Sequence, residues 1–168
     1  MWQAIWSIFT SLSRVLRKSD AGSVKLCKVS ERIASPTRVT IMSMLLDDQD
    51  QLLIANVGDK NKWDVFFAKT LDEGRQALEK LQPHIILLDR DLADGNWRSA
   101  LSACASTSAA CTMLISRVAD DYLWNEVVCN GGYDVLAKPL REQDVLRAVR
   151  FAWSYLNSTR QTAAIPRK

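Results

Sequence analysis

The sequence has one histidine and no closely spaced pair of cysteines, and each shortage excludes a class of metal or catalytic site. A single histidine, His84, is too little material for a histidine-based metal site or for a Ser–His or Cys–His catalytic pair. No two of the cysteines have C-x-x-C spacing, so neither a zinc site nor a disulfide framework is indicated. Scattered free cysteines fit a reducing compartment, and we expect the protein to be cytoplasmic.

The sequence also lacks a run of apolar residues long enough to span a bilayer. Residues 1–18 place tryptophan, isoleucine, phenylalanine and leucine at helical spacing, but serines interrupt them and the segment is too short. This segment lacks the basic start of a signal peptide. We predict that residues 1–37 form an amphipathic helix followed by a linker. The helix packs on the domain or on a second copy, or it lies on a membrane surface.

A basic face is missing from the middle of the chain. Residues 39–156 contain twelve Lys/Arg and seventeen Asp/Glu, a balance of −5, whereas residues 1–38 carry +5 and residues 157–168 carry +3. Domains that bind nucleic acid concentrate basic residues on one face. We therefore expect no direct contact with nucleic acid, and we predict that residues 157–168 are a basic, disordered tail.

Between residues 38 and 156 the sequence alternates short apolar runs with amphipathic segments. The predicted strands are 38–42, 63–69, 84–89, 111–116 and 133–137. The predicted helices are 48–57, 70–81, 97–105, 122–130 and 141–156. Five strands that alternate with helices predict an α/β domain with a doubly wound, five-stranded parallel sheet.

Three polar side chains follow the ends of predicted strands. Asp89 ends the third strand, Ser116 ends the fourth, and Lys138 comes just after the fifth. Ligands of doubly wound sheets bind beyond the carboxyl ends of the strands, so we expect these groups to converge there. A carboxylate can act as a nucleophile toward phosphorus. A lysine can pair with a phosphate as a point charge, and a hydroxyl can hydrogen-bond a phosphoryl oxygen.

The segments IILLDRDLADG, MLISR and GGYDVLAKPL resemble the receiver domain of two-component response regulators. The resemblance covers residues 38–156 and implies a flavodoxin-like sheet in the order 2-1-3-4-5. It implies that Asp89 is the phosphoryl acceptor, Ser116 the switch hydroxyl and Lys138 the phosphate-binding lysine, with a cis bond before Pro139. The resemblance also implies a signalling module that is not an enzyme.

The resemblance further implies two kinds of partner. A sensor histidine kinase or a phosphotransfer protein would supply the phosphoryl group. A downstream protein, or a second copy of the chain, would bind the face made by the fourth helix, the fifth strand and the fifth helix.

The metal ligands are the main departure from the family pattern. Receivers bind Mg²⁺ through the phosphoryl acceptor and an acidic pair directly after the first strand. Here the resemblance implies Asp89 and the backbone carbonyl of Asp91 as ligands, with Asp47 or Asp48 as the pair if the first strand runs to residue 46. The usual helix length instead places the pair's positions on Ser43 and Met44.

We favour the second alignment, in which Asp47 or Asp48 caps the first helix and the affinity for Mg²⁺ is reduced. Arg117 follows the switch hydroxyl, where the family usually has a small residue, and an arginine there could cover the pocket and pair with Asp89. These departures leave a second interpretation open, a pseudo-receiver that binds partners without phosphorylation.

Asp89-Arg90-Asp91 is also similar to the first motif of haloacid-dehalogenase-type phosphatases. In that family the motif usually lies on the first strand and is followed by a threonine. Here it lies on the third strand, and the residue that follows is Leu92. We therefore disfavour an enzyme of this kind.

Overall fold

The structure is a computed structural model that describes residues 38–92 and 96–163. The predicted N-terminal helix and linker, residues 1–37, lie outside the described residues, as does the end of the chain from residue 164. Within the described residues strands and helices alternate: β1 (Thr40–Met44), α1 (Asp48–Asn61), β2 (Asp64–Phe67), α2 (Leu71–Leu81), β3 (Ile85–Asp89), α3 (Trp97–Thr107), β4 (Cys111–Ser116), α4 (Asp121–Cys129), β5 (Asp134–Ala137) and α5 (Glu142–Ala163). None of these helices is long and apolar enough to cross a membrane.

The five strands form one parallel sheet in the order β2-β1-β3-β4-β5. This order confirms the predicted doubly wound, flavodoxin-like sheet. Strands β1, β3 and β4 lie in the middle of the sheet, and β3 and β4 are buried along their whole length. Their continuous apolar runs follow from helices covering both faces of the sheet.

The two faces of the sheet pack against different helices. Because side chains alternate along a strand, Ile85 and Leu87 of β3 face α1 and α5, while Ile86 and Leu88 face α2, α3 and α4. On the first face, Ile54 and Val57 of α1 and Val145, Val149 and Leu156 of α5 are buried in the same apolar cluster as these strand residues. The same alternation decides which polar side chains meet at the strand ends.

Side chains cap the helices where the sequence contains Asp, Thr or Asn. Asp47 accepts from the backbone N–H groups of Gln49 and Asp50 at 2.8 and 3.1 Å. Thr70 accepts from the N–H of Glu73, which confirms the predicted start of the second helix. The fourth helix starts with Asp120 as its cap.

Most elements begin or end a few residues from their predicted bounds, as does α1, which continues to Asn61 rather than ending at residue 57. Strand β1 is Thr40–Met44 rather than 38–42, because it pairs with β3 as far as Leu88. Helix α5 continues to Ala163, seven residues beyond the predicted end, so residues 157–163 are helical and the prediction of a disordered tail from residue 157 is wrong for them. Between residues 142 and 163 there is no glycine or proline to end the helix.

Candidate functional site

Asp89 is the last residue of β3 and is only 1% exposed. A buried carboxylate is costly unless other groups hydrogen-bond it or neutralise its charge. One oxygen, Oδ1, accepts from the backbone N–H of Asp91 at 3.2 Å. The other, Oδ2, accepts from the ammonium of Lys138 at 2.6 Å, so these two of the three predicted groups meet at the carboxyl edge of the sheet.

Lys138 is positioned by the end of β5. Its backbone N–H donates to the carbonyl oxygen of Ser116 at 2.8 Å, which continues the pairing of β5 with β4. Its peptide bond to Pro139 is cis, as the resemblance implied. Alternation along β5 places Lys138 on the same face as Leu136, which packs between the sheet and α5. Asp89 lies on that face of β3, so the two side chains meet.

A second carboxylate reaches Lys138 from the first turn of α1. Asp50 Oδ2 lies 3.0 Å from Lys138 Nζ, and the Asp50 and Lys138 side chains are only 14% and 13% exposed. Asp50 was not identified from the sequence, because the family pattern places the acidic residues directly after the first strand, where Asp47 and Asp48 are the first carboxylates. The available signal was the cap at Asp47, since it makes Asp50 the third residue of the first helical turn.

The two carboxylates act on the charge of Lys138. Burial alone would lower the pKa of the ammonium, but hydrogen bonds and Coulombic attraction from Asp89 and Asp50 outweigh burial and raise it. Lys138 is therefore positively charged at neutral pH. Its ammonium is a fixed cation at the carboxyl edge of the sheet.

Ser116 lies at the same edge but has a different partner. Alternation along β4 places it on the face of Leu114, opposite to that of Asp89. Its hydroxyl accepts from Arg90 Nη1 at 3.3 Å and from the backbone N–H of Val118 at 3.1 Å. The predicted switch hydroxyl is therefore beside the site, and it contacts Arg90 rather than the carboxylate.

The structure supports the alignment that leaves Asp47 and Asp48 out of the pocket. Asp47 is the cap of α1, which confirms the favoured interpretation, and Asp48 is exposed in the first turn. The predicted pair positions, Ser43 and Met44, pair with Leu87 and Leu88, so Leu45 comes level with Asp89. All three side chains are buried, and none of them is a carboxylate.

The residues present do not fit Mg²⁺ held by an acidic pair together with Asp89. Asp50 and Asp89 are the carboxylates that converge, and the ammonium of Lys138 already contacts both. Across residues 38–92 and 96–163, no group of three or more His, Cys, Asp or Glu side chains is placed to hold a metal ion. The Asp91 side chain is exposed, and its backbone N–H points to Asp89.

Arg117 does not have the place that its position in the sequence suggested. The Arg117 side chain is exposed. Within the described residues, Asp89 forms an ion pair with Lys138 and with no other cation. The guanidinium near the site is that of Arg90. The suggestion that Arg117 covers the pocket and pairs with Asp89 is wrong.

The structure is similar to solved receiver domains. A two-component response regulator from Clostridium difficile matches with a TM-score of 0.67 at 16% identity, over 71% of this chain and 99% of that chain. The chain has the receiver fold. A response regulator from Thermotoga maritima shares that fold with a TM-score of 0.64 at 19% identity, over 70% of this chain and 98% of the other.

The signal receiver domain of a protein from Vibrio parahaemolyticus also has this fold. It matches with a TM-score of 0.70 at 16% identity, over 76% of this chain and 99% of that chain. No protein-family model and no curated protein matches the sequence. At these identities the likeness establishes the receiver fold, and function has to be argued from the site.

Proposed function

We propose that the domain is a receiver module of a two-component or phosphorelay system in the cytoplasm, and that it accepts a phosphoryl group on Asp89. The observation that carries this proposal is the 2.6 Å contact between Asp89 Oδ2 and Lys138 Nζ at the carboxyl edge of the sheet. The module is not an enzyme. It signals through protein–protein contacts.

In the proposed transfer, a carboxylate oxygen of Asp89 attacks the phosphorus of a phosphohistidine on a sensor kinase or a phosphotransfer protein. The new O–P bond forms as the P–N bond breaks, and the imidazole nitrogen keeps the electron pair. The product is an aspartyl phosphate. Lys138 is placed to balance the negative charge of the new group. Ser116 can donate its hydroxyl proton to a phosphoryl oxygen once its contact with Arg90 is exchanged.

The output surface that we propose is the face formed by α4, β5 and α5. Tyr122 of α4 is 71% exposed, and Phe151 and Tyr155 of α5 are each half exposed. Exposed aromatic side chains are enriched at protein interfaces. Lys138 follows β5, so a change at the phosphoryl site reaches this face through one strand. The partner is a downstream protein or a second copy of the chain.

One observation favours a second candidate function, a module that binds partners without phosphorylation. Asp89 is almost fully buried, and the cation that holds it is itself anchored by Asp50. A donor can reach Asp89 only if this arrangement opens. If this arrangement does not open, the domain keeps one conformation and acts only through the partners that its surface binds.

The experiment that tests the proposal is intact-mass spectrometry after incubation with a small acyl phosphate, with and without Mg²⁺. We expect a gain of one phosphoryl group that is lost in Asp89→Asn and retained in Asp91→Asn. The Asp91 variant is a matched control because it removes the same charge two residues away, from an exposed side chain. No gain under any condition would contradict the proposal and favour the module that binds without phosphorylation.

A further inference from the structure

Three charged side chains meet at the carboxyl edge, on one face of the sheet. Asp50 contributes a carboxylate from α1, Asp89 contributes one from β3, and Lys138 lies between them with Nζ 3.0 and 2.6 Å from their Oδ2 atoms. An ammonium has three N–H donors, so it can serve both oxygens at once. Two carboxylates and one ammonium leave a net charge of −1 in this group.

The position of Asp50 is fixed by the loop that precedes α1. Asp47 accepts from the backbone N–H of Asp50 at 3.1 Å. The side-chain amide of Gln51 donates to the carbonyl oxygen of Leu45 at 2.8 Å. These contacts hold the first turn of α1 against the end of β1, where apolar Met44 and Leu45 supply no carboxylate.

We propose that Asp50 is a positioning residue that holds Lys138 in the pocket, and that the ammonium of Lys138 is the cation of the resting site in place of a divalent metal ion. A metal ion would have to displace an ammonium that two largely buried carboxylates already bind, in a group with little net negative charge to attract it. The inference concerns the resting site, so it holds whether or not Asp89 accepts a phosphoryl group.

A double-mutant cycle tests the role of Asp50. Thermal unfolding is measured for Asp50→Asn, for Lys138→Met and for both changes together. We expect Asp50→Asn to lower Tm when Lys138 is present and not to lower it when Lys138→Met is present, because the lost contact is already absent. Asp48→Asn is the matched control, since it removes the same charge from the same helical turn at an exposed position.

Asp48→Asn should change Tm by the same small amount in both backgrounds. If Asp50→Asn lowers Tm equally with and without Lys138, then Asp50 acts only through the charge it adds near the start of the helix, and the positioning role is excluded.

A titration with Mg²⁺ tests the second half of the proposal. We expect the Tm of the unmodified protein to be unchanged by millimolar Mg²⁺. We expect Mg²⁺ to raise the Tm of Lys138→Met, because the carboxylates of Asp50 and Asp89 then lack a cation. If Lys138→Met does not fold, Lys138→Arg replaces it and should remain insensitive to Mg²⁺.

A Mg²⁺-dependent rise in Tm of the unmodified protein that Asp89→Asn removes would overturn the proposal. This result is separate from phosphoryl uptake. If the protein takes up a phosphoryl group and its Tm does not respond to Mg²⁺, the result supports both phosphoryl transfer to Asp89 and Lys138 as the resting cation. If the protein takes up no phosphoryl group, the Tm values expected for the resting site are unchanged.

Discussion

The ammonium of Lys138 contacts the carboxylate of Asp89 across the width of β4, joining residues that are 49 positions apart in the sequence. This contact lies at the carboxyl edge of the sheet, on the face covered by α1 and α5. Removing one member of a buried ion pair leaves the other charge uncompensated. The stability of the domain should therefore depend on this one lysine.

Replacing Lys138 by methionine should lower the free energy of unfolding by about 3 kcal/mol, since Asp50 and Asp89 are then both left without a cation. Urea unfolding followed by tryptophan fluorescence measures the change. Lys60→Met is the matched control, because Lys60 forms an ion pair with Glu142 that is about half exposed. An exposed pair contributes less than about 1 kcal/mol. Equal losses in the two variants would contradict the account.

Ser43→Ala should raise the stability of the domain. The Ser43 hydroxyl is fully buried in β1 and has no hydrogen-bond partner among the described residues. An unsatisfied buried hydroxyl costs about 1–3 kcal/mol, so its removal should raise the free energy of unfolding by about 1 kcal/mol. Chemical denaturation measures the change. A fall in the free energy of unfolding would contradict this prediction.

The stability of the domain should fall as the pH falls below 6.5 because of His84. Burial, and then the charge of Arg160, lower the pKa of His84 from its usual 6.5. Its Nδ1 accepts the backbone N–H of Thr40 at 3.0 Å, which requires the unprotonated nitrogen. The unfolded chain binds this proton below pH 6.5 while the folded chain does not. The free energy of unfolding therefore decreases with falling pH, by up to about 1.4 kcal/mol per pH unit, until the folded pKa is reached.

His84→Asn is the variant for this test, because its side-chain oxygen can still accept a hydrogen bond and it does not titrate. The difference in unfolding free energy between the two proteins should depend on pH below 6.5 and be constant above it. A difference that is independent of pH across this range would exclude His84 as the cause.

Thiol labelling of the folded protein should distinguish Cys129 from the two other cysteines in the described residues. Burial raises the pKa of the Cys104 and Cys111 thiols to about 11, so little reactive thiolate is present at neutral pH. Cys129 is exposed. In a Cys27→Ser background, one thiol should react quickly with a maleimide, and the other two only after denaturation. Rapid reaction of three thiols would show that the core opens.

The sequence predicted the sheet, and it predicted Asp89 and Lys138 as members of the site, because polar residues at the ends of buried strands can be recognised from the sequence. An unbroken apolar run that ends in a polar residue marks a buried strand and its carboxyl end, and Asp89 follows this pattern. Ser116 was placed at the correct edge as well. Which face each side chain takes depends on the register between strands, and the register became visible only in the structure. Ser116 therefore has Arg90 as its neighbour rather than Asp89.

Asp50 shows the limit of sequence reasoning more sharply. Its contact with Lys138 joins the first turn of a helix to a loop 88 residues later, and it depends on how α1 packs against the sheet. Local patterns do not encode such a contact. The extension of α5 to Ala163 is a simpler case, since a helix continues while no residue ends it.

The measurement that tests the central claim most directly is the location of the phosphoryl group. Protein treated with a small acyl phosphate is reduced with borohydride, which converts an aspartyl phosphate to homoserine, and its peptides are sequenced by tandem mass spectrometry. We predict homoserine at position 89 and at no other aspartate. Homoserine at Asp50 or Asp91 instead, or at no position, would contradict the assignment of Asp89 as the phosphoryl acceptor.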